Sequence, residues 1–162
     1  RDPEMSRGLG DVYKRQEVGI AGFSAGGHLA AMASTIGSCR PAFSILFYPV
    51  ITAEEGRCHR GSFDNLLGAA RSRTDSEAYS LQRRVTPATP PTLLLLSDDD
   101  RTVPPVNATE YYRSLKEHGI DASMHIYPEG GHGWGIRSDF RYREAWQQAV
   151  LDWLGRLSRQ NE

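Results

Sequence analysis

The chain has two cysteines and two lysines in 162 residues, and no apolar run approaching the ~20 residues that a membrane-spanning helix needs. Cys39 and Cys58 have no histidine or further cysteine at metal-ligand spacing, so no zinc site is expected. A disulfide between them is an open alternative to two free thiols, and free thiols are the expectation. Neither sign of charge is in excess: 19 basic against 20 acidic residues leave a formal net charge of −1. That balance gives no electrostatic case for a nucleic acid or an anionic membrane as partner. The N-terminus also lacks the basic, apolar and small-residue succession of a secretory leader. Arginine supplies 17 of the 19 basic residues, from which nothing mechanistic follows.

What the chain does have is Gly22-Phe23-Ser24-Ala25-Gly26, between an apolar run, Val18 to Ala21, and a small-residue run, Gly27 to Ala33. The pattern reads as strand, sharp turn and helix with a serine at the apex. Such a turn lifts the hydroxyl above the end of its strand in a strained backbone conformation. Gly22 and Gly26 are expected to be small because a side chain at either would collide as the turn tightens. Three more strands follow: Phe43 to Tyr48, Thr92 to Leu96 and Ser123 to Tyr127. They alternate with helical patterns, which argues for a parallel sheet, and near-continuous hydrophobicity in the first three strands suits burial on both faces.

Between the second and third strands, Thr52 to Pro91 reads as a long connection with short helices at Asp64 to Leu67 and around Ser76 to Leu81, a place for a cap or pocket wall. After the third strand, Asn107 is the expected N-cap of a helix, with Glu110 completing a capping box and Gly119 ending it. The stripe Tyr142, Trp146, Ala149, Val150, Trp153, Leu154 and Leu157 predicts a last helix lying on the sheet.

Acyl transfer to a serine needs a base for the hydroxyl proton and a carboxylate to orient that base. Candidates for both follow later strands. Of five histidines, His132 stands in Gly130-Gly-His-Gly-Trp-Gly135, a loop with little side-chain bulk beside it that can swing over the strand ends to Ser24. His28 is expected to pack or cap beside the elbow, and His118 to sit at a helix end. Asp98, Asp99 and Asp100 all follow the leucine strand and are rivals for the acid. The backbone N–H of Ala25 is a candidate oxyanion donor.

Four stretches in this order, GFSAGGHLA, Phe47-Tyr-Pro-Val-Ile-Thr52, Asp98-Asp-Asp-Arg-Thr-Val-Pro104 and Tyr127-Pro-Glu-Gly-Gly-His-Gly-Trp-Gly135, resemble α/β-hydrolase esterases, in the branch near acetylxylan esterases. The resemblance covers about residues 17–155. It implies an α/β, three-layer α/β-hydrolase fold, here only its C-terminal half, as a roughly four-stranded parallel sheet from the elbow strand onward with flanking helices. It places the acid at Asp100, three residues before Val103, and completes a set of Ser24, Asp100 and His132. It also implies a short acyl group, acetyl above all, on a carbohydrate or other small ester, with no metal or organic cofactor. A periplasmic or secreted location is preferred on that analogy alone.

The resembling family draws a second oxyanion donor from a His-Gly-Gly loop, and none stands upstream of Gly22. The elbow strand is therefore expected as an exposed apolar edge. Residues 1–16 read as a leader that is foreign or disordered, 17–158 as part of a single domain, and 159–162 as a tail. Two rival readings stand beside the esterase: a serine peptidase fragment of the prolyl-oligopeptidase kind, and a truncated chain without activity.

Overall fold

The computed structural model describes residues 18–160, so the leader expected over residues 1–16 lies outside the described residues. Four parallel strands follow one another across one sheet: β1 (Ile20–Phe23), β2 (Ser44–Phe47), β3 (Thr92–Ser97) and β4 (Ala122–Tyr127). Their registers align Ile20 with Ser44, Ser44 with Thr92, and Thr92 with Ala122, so all four strands end at one edge of the molecule. Parallel pairing requires a long crossover between neighbours. The crossovers carry α1 (Ala25–Thr35), then α2 (Arg60–Leu67) and α3 (Arg73–Ala78), then α4 (Val106–Glu117). The last helix, α5 (Arg143–Gln160), runs two residues into the stretch that the sequence predicts as tail; residues 161–162 lie outside the described residues.

β2 and β3 are buried along their whole length, and Leu93, Leu94, Leu95 and Leu96 form the centre of the core. Each such leucine contributes about 1.5–3 kcal/mol on leaving water. The expectation of two covered faces fails at β1. Ala21 and Phe23 are exposed, with Phe23 at 40% and the adjoining Val18 at 60%, because β1 lies at the sheet edge with a neighbour on one side only among the described residues. This matches the other expectation, an exposed apolar edge. The predicted stripe of α5 covers the sheet through Trp146, which meets Phe47 edge-on at 5.3 Å, and Trp153, which meets Phe43 at 5.9 Å.

The long connection folds back against the end of β2. Its helices begin earlier than predicted, and a 3-10 turn, Leu81–Arg83, closes it. Ser72 caps α3 with a reciprocal bond to Asp75. Leu81 N–H donates to the Ile51 carbonyl (3.1 Å), and Ala53 N–H donates to Ser80 Oγ (3.0 Å), so the excursion is stitched to the exit of β2. His28 joins it to α1, donating through Nε2 to the Tyr79 carbonyl (3.0 Å) and meeting the Phe63 ring edge-on at 5.3 Å. Burial lowers the His28 pKa, against a smaller opposing effect of that carbonyl.

Asn107 does not cap α4. It lies inside the helix, 1% exposed, and Pro105 stands at the cap position. Its Oδ1 accepts from Ile51 N–H and Thr52 N–H (both 3.0 Å), and its Nδ2 donates to the Arg57 (2.9 Å) and Pro104 (3.1 Å) carbonyls. The capping box fails for the same reason, since Glu110 pairs with Arg57. Gly119 does end the helix, in the left-handed region at φ 73°. Cys39 and Cys58 are both free thiols.

Candidate active site

Ser24 sits between β1 and α1 at φ 54° and ψ −119°, a backbone conformation that a residue with a side chain rarely holds. The strain is contained by hydrogen bonds on both sides. Ser24 N–H donates to the Phe47 carbonyl (3.0 Å), while its own carbonyl accepts from Gly27 (3.0 Å), His28 (3.3 Å) and Val50 (3.0 Å). The turn is closed so tightly that a Cβ on Gly22 would lie 2.2 Å from the Gly26 carbonyl oxygen. Gly26 is a correction: a Cβ there meets nothing within 4 Å. The second close approach belongs to Gly27, where a Cβ would sit 2.7 Å from the Pro49 side chain.

The structure brings Ser24, His132 and Asp100 together from three strand ends. His132 Nδ1 lies 2.6 Å from Asp100 Oδ2, and its Nε2 lies 2.8 Å from Ser24 Oγ. A carboxylate can only accept, so Nδ1 carries the proton, and in the neutral ring Nε2 is then free to accept from the Ser24 hydroxyl. Asp100 is 4% exposed, and its other oxygen accepts from Thr102 N–H and Val103 N–H (both 2.9 Å). Both carboxylate oxygens are thereby engaged in a nearly dry position. His132 keeps 17% of its side chain in solvent.

The rivals of Asp100 do not reach the imidazole. The Asp99 carboxylate turns outward and accepts from Gly131 N–H (2.8 Å), while Asp98 uses its N–H on the Tyr127 carbonyl (2.8 Å). The Gly131 N–H, reinforced by Gly130, holds the Asp99 pKa below the usual carboxylate value. Ala25 opens α1, and its N–H has no acceptor among the described residues. The remaining histidines serve elsewhere: His59 pairs with Ser62 Oγ (2.8 Å), His118 donates to the Ser114 carbonyl (2.8 Å), and His125 is exposed on β4.

Two supports of His132 escape sequence reading. Tyr48 has φ 37°, and its ring meets the imidazole at 4.7 Å in a tilted edge-on contact. Burial raises its pKa, with a smaller opposing effect from the Gly135 backbone at its hydroxyl and a further rise from Asp100. Trp134 is fully buried, stacks on Phe140 (4.3 Å) and donates from Nε1 to Ser97 Oγ (2.9 Å). Gly130, Gly131, Gly133 and Gly135 all have positive φ, and at Gly130 a Cβ would strike the Phe140 ring at 2.3 Å. The glycines that suggest looseness are required by backbone conformation, and at Gly130 by close packing as well. A cleft of about 340 Å³ opens on the far side of this loop, lined by Asp99, Glu129 and Trp134 among others, and includes neither Ser24 nor His132.

An acetylxylan esterase of Xylanibacter ruminicola is 42% identical over 144 residues, which cover 85% of this chain and 30% of that protein. The endo-1,4-beta-xylanase B of Butyrivibrio fibrisolvens is 32% identical over 134 residues, 74% of this chain and 21% of that one. Among solved structures, an acetyl ester-xyloside bifunctional hydrolase from Caldicellulosiruptor lactoaceticus superposes with a TM-score of 0.82 at 36% identity, covering 86% of this chain and 56% of its own. The chain thus spans less than a third of the two sequence relatives and little more than half of the structural one. The model of the prolyl oligopeptidase family matches residues 8–160. With that match over nearly the whole chain and that superposition, the chain belongs to the prolyl oligopeptidase family, on the α/β-hydrolase fold.

Proposed function

We propose that this chain carries the reacting centre of a serine carboxylesterase that removes short acyl groups, acetyl above all, from a carbohydrate or other small ester. The observation that carries the reading is the unbroken chain of hydrogen bonds from Ser24 through His132 to Asp100, at 2.8 and 2.6 Å. Ser24 Oγ attacks the ester carbonyl as its proton passes to His132 Nε2. The electron pair of the carbonyl moves to oxygen, where Ala25 N–H, at the positive end of the α1 dipole, receives the charge. Collapse of that intermediate breaks the bond to the alcohol, which leaves with the proton from Nε2. Water then gives a proton to Nε2 and attacks the acyl-enzyme, releasing the acid and restoring Ser24. Asp100 holds the imidazole in one tautomer throughout.

The acetyl preference is supported by the names of the two similar hydrolases, an acetylxylan esterase and an acetyl ester-xyloside hydrolase. The family's description favours a peptidase as second reading. Hydrolysis of 4-nitrophenyl acetate by the chain, beside Ser24→Ala and His132→Ala with the fold checked by circular dichroism, tests the mechanism. Turnover lost in both folded variants is expected, and turnover indifferent to Ser24 would refute it. Acetylated xylo-oligosaccharides and a peptide anilide then separate the two substrate classes, and cleavage of the anilide alone would favour the peptidase.

A further inference from the structure

The loop that presents His132 is held very unequally on its two sides. On the C-terminal side Trp134 is clamped by Phe140, Tyr48 and Ser97. On the N-terminal side, residues 128–133 make no backbone-to-backbone hydrogen bond among the described residues. Gly130 and Gly131 there have φ of 141° and 59°, and glycine loses more conformational freedom than any other residue when it is fixed. Phe140 and Ser97 pack against Gly130, but among the described residues a single side chain hydrogen-bonds to this backbone: Asp99, whose Oδ1 accepts from Gly131 N–H at 2.8 Å. Gly131 is bonded directly to His132, and Asp99 directly to Asp100.

We propose that Asp99 is a positioning residue for His132: it fastens the backbone immediately before the histidine while Asp100 fastens the imidazole. The two carboxylates belong to one turn, which Asp98 N–H ties to the end of β4 through the Tyr127 carbonyl. Loop and acid therefore move as one body, and the 2.6 Å contact between His132 and Asp100 does not depend on the side chains of those two residues alone. Asp99 touches no reacting atom. It acts by lowering the number of conformations in which the imidazole leaves Asp100, so its removal affects the reacting complex and leaves substrate affinity alone. The lowered Asp99 pKa agrees with a carboxylate that receives backbone N–H groups in the folded chain.

The inference rests on the esterase reading, and its test keeps the two apart. The full chain is compared with Asp99→Ala, Asp99→Asn and, as control, Asp98→Ala. Solvent exchange of the His132 Nδ1 proton is followed by NMR, and kcat and KM are measured on 4-nitrophenyl acetate. Because Asp99 is exposed, the variants are expected to fold, which circular dichroism checks. In Asp99→Ala the proton should exchange roughly fivefold faster and kcat should fall roughly fivefold at unchanged KM, the size of one exposed charge-assisted hydrogen bond. Asp99→Asn keeps an acceptor oxygen and should recover most of both, and Asp98→Ala should match the parent. Exchange in Asp99→Ala as slow as in the parent, or Asp99→Asn no better than Asp99→Ala, would overturn the proposal. A parent chain that hydrolyses no ester would sink the esterase reading, while the proton exchange would still decide the role of Asp99.

Discussion

Replacing Asn107 by aspartate separates two accounts of one residue. As an N-cap, aspartate would serve as well as asparagine and would gain from the helix dipole, so stability would hold or rise. As the interior stitch seen here, Asn107 presents Nδ2 to two carbonyls at 2.9 and 3.1 Å, and aspartate would present them with a second carboxylate oxygen. The two N–H bonds from Ile51 and Thr52 survive, two donors are lost, and like charges face one another at a position 1% exposed. A buried polar group left without its partner costs about 1–3 kcal/mol, so Asn107→Asp should lose about 2–4 kcal/mol at neutral pH. In a chain of this size that is a fall of about 4–16 °C in Tm. The carbonyls and burial raise the carboxyl's folded pKa above its unfolded value, so the penalty is fully present above the folded pKa. It shrinks as pH falls through that value, because the protonated group regains a donor. Asn107→Ala orphans the Ile51 and Thr52 donors as well as the two carbonyls, and should cost at least as much without the pH dependence. Urea midpoints at neutral and acid pH measure both. An Asn107→Asp chain as stable as the parent at neutral pH would refute the stitch.

The elbow glycines divide in the same way. Gly22→Ala forces a Cβ to 2.2 Å from a backbone oxygen and should abolish the closed turn, seen as loss of soluble folded chain, whereas Gly26→Ala meets open space and should raise stability by up to about 1 kcal/mol through helix propensity. Equal behaviour of the two would contradict the geometry. Burial lowers the His28 pKa in the folded chain from 6.5, so its contribution is complete above the unfolded value and is lost as pH falls below it. His28→Gln should therefore flatten the fall in urea midpoint on going from about pH 7.5 to about pH 5.5, and an unchanged slope would refute this.

Much of this was legible locally. Strands appear as apolar runs bounded by proline or glycine, and Ser24 and His132 stand in short patterns whose geometry is set within a few residues of each. What escaped depends on partners remote in sequence. Asn107 looks like a cap because its neighbours spell one, yet its bonds run to Ile51, Thr52 and Arg57, about 50 positions away. Three consecutive aspartates are indistinguishable until the turn decides which faces inward; resemblance singled out Asp100, and periodicity could not have done so. Gly27 rather than Gly26 is the tight glycine because Pro49 arrives from β2. No local pattern announces the positive φ of Tyr48.

Ser24 follows β1 and His132 follows β4, the two outermost strands of the described sheet, yet their side chains touch across 108 positions of sequence. With neighbouring strands about 4.8 Å apart, three inter-strand steps separate those ends by roughly 14 Å, which the glycine loop must bridge. The Ser24–His132 contact is thus a gauge of the whole span: it closes only when every strand between is seated in register. A serine-directed covalent probe, whose reaction needs that contact, would count completed molecules in a refolding mixture, and a chain whose contacts are this distant in sequence should reach that state slowly.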